Sequence, residues 1–218
     1  MKRIIQWLVV ILVPVILVLS VVRLMLTPLF VRAEYNTPNF PADKYGFSLE
    51  ERLHWSEIAL QYLLNSEGIE FLGDLTFEDG SPLYNEREQH HMLDVKIVVQ
   101  QAMVVLAGAL TFVILVGVWA RGTDRWWEYR QSLSRGGWLT VGIIGLVIVA
   151  IVLSFDVFFV AFHKVFFEGE TWIFRYSDTL IRLFPVRFWR DTFIAVGGIT
   201  LTGGAALGVL CKRNSQEP

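Results

Sequence analysis

An all-α membrane protein, with four transmembrane helices and a small, mainly helical extracytoplasmic cap, is the fold class this chain predicts. Three observations carry that expectation. The 218 residues are 54% hydrophobic and only 18% charged, with a mean hydropathy of +0.48, too apolar for an ordinary soluble domain. Four apolar runs are each long enough to cross a bilayer. Only residues 31–94, which carry most of the acidic side chains, are polar enough to fold outside a membrane.

In chain order, Lys2-Arg3 precede an apolar run from Ile4 to Val22, interrupted by Gln6, Pro14 and Ser20. That run is too long for the apolar core of a signal peptide, so residues 1–30 read as a retained first transmembrane helix. Residues 31–94 form the cap. Within it, Asn36–Pro41 reads as irregular chain, and Ser48-Leu49-Glu50-Glu51 is a capping box opening a helix to about Leu64. Leu75–Glu78, Asp79-Gly80 and Ser81–Tyr84 predict a short hairpin, because Asp-Gly favours the tight turn. Asn85-Glu86-Arg87-Glu88 is a second helix start, with Asn85 as cap and Glu88 three residues on. Its helix runs into the second span, 95–120. A loop (121–137), a third span (138–162), an interfacial connector (163–191), and a fourth span with its tail (192–218) complete the chain. In the fourth span, Gly204 and Gly208 are four apart, a small-xxx-small pattern that lets a neighbouring helix approach closely.

Four spans put both termini and the 121–137 loop on one side. Lys2, Arg3, the loop's four arginines, Lys212 and Arg213 all fall there, which predicts that this side is cytoplasmic. Residues 31–94 and 163–191 then share the outer face, although the connector is also basic. The net charge of −2 argues neither for nor against nucleic acid, and no basic cluster interleaved with aromatics suggests such a partner, so none is expected. Cys211, the single cysteine, rules out an intramolecular disulfide.

Acid–base chemistry has few homes in this chain. Its four histidines are His54, His90, His91 and His163, and the last three fall at outer ends of predicted spans. Arg87, Glu88 and Asp94 neighbour His91 at spacings of three or four along one helix side, so Glu88 or Asp94 is the expected carboxylate to hold its imidazole. The plain alternative is a solvated helix start laced with ion pairs. Asp156 and His163 share a face but lie about 10 Å apart along the axis. No His-Glu-x-x-His, no cysteine cluster, no Gly-x-Ser-x-Gly and no phosphate-binding glycine loop is present. A metal held by His90, His91, His163 and a carboxylate is the remaining metal option.

Three blocks, Asn85-Glu86-Arg87-Glu88-x-x-His91-Met92-x-Asp94-Val95-Lys96, Asp156-x-Phe158-Phe159-x-x-Phe162-His163-x-x-Phe166-Phe167-x-x-x-x-Trp172 and Asp178-x-Leu180-Ile181-x-x-Phe184-Pro185-x-x-Phe188, set in a four-span layout, resemble the bacterial lipoprotein intramolecular transacylase family. The similarity extends over nearly the whole chain. It implies transfer of the sn-2 acyl chain of a diacylglyceryl-modified lipoprotein to the α-amine of its N-terminal cysteine, giving a lyso-form lipoprotein. His91 and His163 are then the acid–base pair, and Arg87, Glu88, Asp94, Asp156, Trp172 and Asp178 orient them or bind substrate. No cofactor and no metal are called for. The substrate lipoprotein and membrane lipids are the expected partners, the monomer is the favoured state, and the site belongs at the outer leaflet of the cytoplasmic membrane. An acyl-ester hydrolase and a non-catalytic scaffold or chaperone are the alternatives. A transporter fits poorly, because no polar stripe crosses the spans.

Overall fold

A computed structural model describes residues 1–212 as nine helices with no strand among them. Arg213, counted above with the basic side, lies outside the described residues. The helices are α1 (Arg3–Met25), α2 (Pro28–Tyr35), α3 (Leu49–Leu64), α4 (Glu70–Gly73), α5 (Glu86–Arg121), α6 (Trp126–Leu153), α7 (Phe155–Phe166), α8 (Thr179–Leu183) and α9 (Val186–Leu210). By length and composition α1, α5, α6 and α9 can each cross a membrane. An all-helical chain suits that setting, because a helix satisfies its own backbone groups where no water can.

Local signals act where the chemistry requires them. Ser48 accepts a hydrogen bond from Glu51 N, and the Glu51 carboxylate accepts one from Ser48 N, so the capping box forms at α3. The Asp79-Gly80 turn also forms, with Gly80 at φ 81°. Its flanks make only a single antiparallel bridge, Thr76 to Pro82. Pro82 has no N–H to extend a ladder there. Ser154, at φ −161° and ψ 98°, separates α6 from α7 inside the stretch 138–162 that hydropathy reads as one run.

The chain divides into two compact units. The first holds Met1–Arg23, Met103–Leu153 and the chain from Ile194 onward. Its helices approach through small residues. Ser134 donates to the Gly208 carbonyl at 2.7 Å. A methyl added at Gly137 would meet the Gly204 carbonyl and, at 2.6 Å, the Gly208 nitrogen. The Gly204/Gly208 pattern therefore packs within the chain, against α6.

The second unit holds Leu24–Ala102 and Ser154–Phe193. Its core draws Tyr35, Leu60, Tyr62, Leu72, Leu83, Tyr84 and Met92 together with Leu180, Leu183 and Phe188, so the polar segment and the connector share one interior. Arginines tie down the irregular stretch after α2. Arg52 donates to the Pro41 carbonyl at 2.8 Å, Arg182 pairs with Asp43 at 2.9 Å, and Arg187 donates to the Pro38 carbonyl at 2.9 Å and to that of Asn39. Lys96 of α5 donates to Asn65 Oδ1 at 2.8 Å and to the Glu67 carbonyl at 2.6 Å, over the Tyr62 ring. It thereby caps the end of α3.

Replacing a helical glycine by alanine normally favours the helix by up to about 1 kcal/mol. Gly142→Ala, where a methyl meets nothing within 4 Å, should leave the melting temperature in detergent unchanged or raise it. Gly137→Ala should lower it by an amount equivalent to roughly 2 kcal/mol or more, because backbone must move. Equal responses at the two positions would contradict the close α6–α9 approach.

Candidate functional site

The first turns of α5 and the last turns of α7 bring two histidines together within the second unit. Asn85 starts α5. Its Oδ1 accepts from Glu88 N at 3.1 Å, and Glu88 Oε2 accepts from Asn85 N at 2.9 Å, completing a cap of the reciprocal kind. One turn on, His91 is buried. His163, near the end of α7, is also buried, and the two rings stack with centroids 6.2 Å apart and planes 24° from parallel. His90 is exposed, so His91 is the member of that pair that meets His163.

Aromatic side chains enclose both rings. Phe167 and Phe174 meet His91 edge-on at 4.9 and 5.3 Å, while Phe159 and Trp172 lie 4.1 and 4.9 Å from His163. Trp172 thus sits at the site. Phe174 is the contact that no motif block contains, and Phe159 and Phe167 stand in the second block without a role assigned to them. Their signal was the density of aromatic residues between 155 and 174. Two open cavities, of about 360 and 490 Å³, lie elsewhere, the first lined by Arg32 and His54 and the second by Tyr45 and Arg182. Their lining is polar and mixed in charge, and neither reaches the histidine pair.

The carboxylates take other positions from those the helix spacing predicts. Glu88 is fully buried, and its two oxygens serve backbone: Oε2 the Asn85 N–H, and Oε1 the Leu180 N–H at 2.6 Å. It clasps the start of α5 to the start of α8. Burial pushes its carboxyl above the usual range, opposed by these two hydrogen bonds. Asp94 is half-buried and makes no hydrogen bond to His91, whose Nδ1 is buried without a partner among the described residues. Asp156 is exposed in the first turn of α7. Arg87 pairs with Asp178 at 3.3 Å, and Asp178 also accepts from Arg175 N at 2.8 Å. Together with Thr179, which donates to the Leu83 carbonyl at 2.5 Å, these bonds lock the connector against the start of α5. A carboxylate therefore positions the site through the connector and not through the imidazole.

His163 has its own orienting bond. Its Nδ1 lies 2.8 Å from the Phe159 carbonyl. A carbonyl can only accept, so Nδ1 carries the proton and Nε2 keeps a lone pair. Burial lowers the basicity of both rings. It pushes His91 down to about 4, with the nearby His163 adding to the effect, and holds His163 below its ordinary value against the Phe159 bond. Both rings are thus neutral at pH 7, one proton donor and one lone pair on each. That pairing can accept a proton at one point and donate a hydrogen bond at another. Among the described residues, no group of three His, Cys, Asp or Glu side chains is arranged to hold a metal ion.

A family model described as "Lipoprotein intramolecular transacylase Lit" matches residues 5–189, a range that includes both histidines. A relative from Aquifex aeolicus (strain VF5), described as an uncharacterized protein, is 28% identical over 216 residues, covering 98% of this chain and 97% of that one. Among solved structures, the fold is similar to the membrane integral lipoprotein intramolecular transacylase Lit from Bacillus cereus. The TM-score is 0.77 at 20% identity, over 95% of this chain and 93% of the other. A second structure of that protein, carrying a histidine-to-alanine mutation, matches with a TM-score of 0.71 at 19% identity, over 96% of this chain and 91% of that one.

The depressed His91 value carries a sign that can be measured. Between pH 6.5 and about 4 the unfolded chain holds more protons at this position than the folded one. Stability is therefore full above pH 6.5 and is lost as pH falls through that window. His91→Phe should flatten the acid side of a melting-temperature profile. In histidine-labelled protein, the His91 ring should titrate near pH 4. A midpoint near 6.5 would mean that the ring is hydrated.

Proposed function

The chain belongs to the lipoprotein intramolecular transacylase family of acyltransferases, and from that premise we propose that it moves the sn-2 acyl chain of a diacylglyceryl-modified lipoprotein to the α-amine of the N-terminal cysteine, with His163 as general base and His91 as oxyanion partner. The observation that carries this reading is the stacked pair of neutral histidines inside an aromatic wall. The tautomer at His163 supports the division of roles.

Nucleophile and ester sit on the same cysteine, so attack closes a ring of roughly eight members and needs chiefly orientation. An α-amine titrates near 8 in water, and aromatic walls favour its neutral form by excluding water. The neutral amine attacks the ester carbonyl. His163 Nε2 takes the proton released from nitrogen, and the ring N–H of His91 steadies the negative oxygen. On collapse, the proton on His163 passes to the departing glycerol oxygen. The products are an amide on the cysteine nitrogen and a free hydroxyl at glycerol C2, so atoms and protons balance. Arg87 and Asp178, with Glu88, hold the connector that carries Trp172 and Phe174 to the rings. Asp94 and Asp156 have no comparable contact and would act on substrate, if at all, from the rim.

We place the reaction at the outer leaflet of the cytoplasmic membrane. The basic residues flanking α1, α5, α6 and α9 on the side of both termini support that orientation. Arg121 over the Trp126 ring and Arg130 over the Trp127 ring suit an interfacial position there, on whichever side it lies. A monomer suffices for this chemistry, since both histidines belong to one chain.

The direct test is mass spectrometry of lipoprotein N-termini from a host that lacks lipoprotein N-acyltransferase and expresses this chain. The expected product is an N-acylated, lyso-form lipoprotein, whereas release of free fatty acid would identify a hydrolase. His163→Ala should lower kcat by about a hundred- to ten-thousandfold and His91→Ala by on the order of a hundredfold or more. Wild-type rates from both variants would mean that other groups carry the reaction, and absence of both products from the wild-type chain would leave a scaffold as the better description.

A second experiment separates direct transfer from an acyl-enzyme. Substrate with an acetylated α-amine should keep its sn-2 ester intact and leave the protein's mass unchanged. An added acyl mass would require a nucleophile on the enzyme, and ester cleavage without one would mean that activated water replaces the amine; either outcome ends the direct mechanism. With free-amine substrate, the acid limb of kcat/KM should follow the amine, near or below pH 8, with no limb at 6.5, because burial holds both rings below their ordinary value.

A further inference from the structure

Beyond the histidines, α7 carries more phenylalanine than a helix of its length needs for packing. Phe155, Phe159 and His163 are successive members of an i, i+4 row. Their rings are in contact, Phe155 to Phe159 at 5.5 Å and Phe159 to His163 at 4.1 Å. Beside this row stand Phe158 and Phe162. Phe193, at the start of α9, wedges against both at 5.1 Å. These phenylalanines are half-buried. They form neither a closed interior nor the most exposed part of α7, where Val157 and Val165 are 69% and 77% exposed. One end of the row is the His163 ring, where an ester carbonyl must lie during transfer.

We propose that this phenylalanine row is the track on which the migrating acyl chain lies, and that it selects for chains that are straight over their first nine or so carbons. This rests on the acyl-transfer reading above. Eight residues separate Phe155 from His163, about 12 Å of helix axis and so roughly nine extended methylenes. The chain arrives from a membrane, so moving it onto the track gains little hydrophobic energy. Selection comes from contact and shape: a row of stiff rings matches an extended chain along its length, and a bend lifts carbons out of contact. A cis double bond near carbon 6 would place its bend beside Phe158, five residues or about 7.5 Å from His163. The same bond at carbon 11 would lie beyond the track.

The experiment compares three diacylglyceryl lipopeptides whose sn-2 chains have equal length and are saturated, cis at carbon 6, or cis at carbon 11. The wild-type protein in nanodiscs should transfer the saturated and carbon-11 chains at similar kcat/KM. The carbon-6 chain should be transferred about fivefold or more slowly. Phe158→Ala and Phe193→Ala should bring that ratio to within about twofold, by lowering kcat/KM for the saturated and carbon-11 chains toward that of the carbon-6 chain. Phe158→Leu and Phe193→Leu, which keep apolar volume and remove the ring, are run alongside. If an alanine variant fails to fold, all three chains fail together and the leucine pair decides. Equal wild-type rates on both unsaturated isomers, or a ratio that survives ring removal, overturns the track. Absence of transfer with every substrate overturns the acyl-transfer reading itself.

Discussion

The Glu88 carboxylate is the constraint on which the second unit turns. Each oxygen accepts one backbone N–H, from Asn85 at the start of α5 and from Leu180 in α8. A buried carboxylate is costly unless both oxygens are satisfied, and here one partner, Leu180, lies 92 residues from Glu88 in sequence. Once Leu180 is fixed, Asp178 falls within reach of Arg87 and Thr179 within reach of the Leu83 carbonyl. The connector between α7 and α8 then has little freedom, and its Trp172 and Phe174 stand against the two imidazoles. An amide at position 88 would offer one acceptor where two are needed, so the clasp depends on the acid and not merely on its size.

Much of this was readable in the residues. Helix starts are local events, and Ser48/Glu51 and Asn85/Glu88 declare them within four residues. The apolar runs declare spans, because the bilayer sets their length. The pairing of His91 with His163 was legible through a shared position at helix ends on one side. What was not legible is the identity of the orienting groups. Helical spacing put Glu88 and Asp94 beside His91, yet both carboxylates can rotate, and backbone N–H groups of a distant segment outcompete an imidazole for Glu88. The bond that does orient a ring comes from the Phe159 carbonyl. Every residue type has a carbonyl, so no choice of side chain at position 159 could announce it. The Ser154 break was hidden for a related reason: hydropathy averages over a window and does not register one residue leaving helical geometry.

On the proposed mechanism, an intramolecular acyl transfer demands little machinery of its host. Substrate supplies both reacting groups. The protein contributes two neutral rings, one fixed tautomer and walls that keep water away. Burial is the main cause of both protonation states, with no charged neighbour bonded to either ring. Charge would be a poor tool here, since an ion beside the imidazoles would draw in the water that hydrolyses esters.

The arginine clamps on residues 38–41 have an evolutionary consequence. Arg52 and Arg187 hold Pro38, Asn39 and Pro41 by carbonyl oxygens, atoms that mutation cannot remove. Drift in the side chains of that stretch is therefore buffered, while loss of a single guanidinium frees several residues at once. The loop's shape is inherited from its arginines, and its own letters are comparatively free to vary.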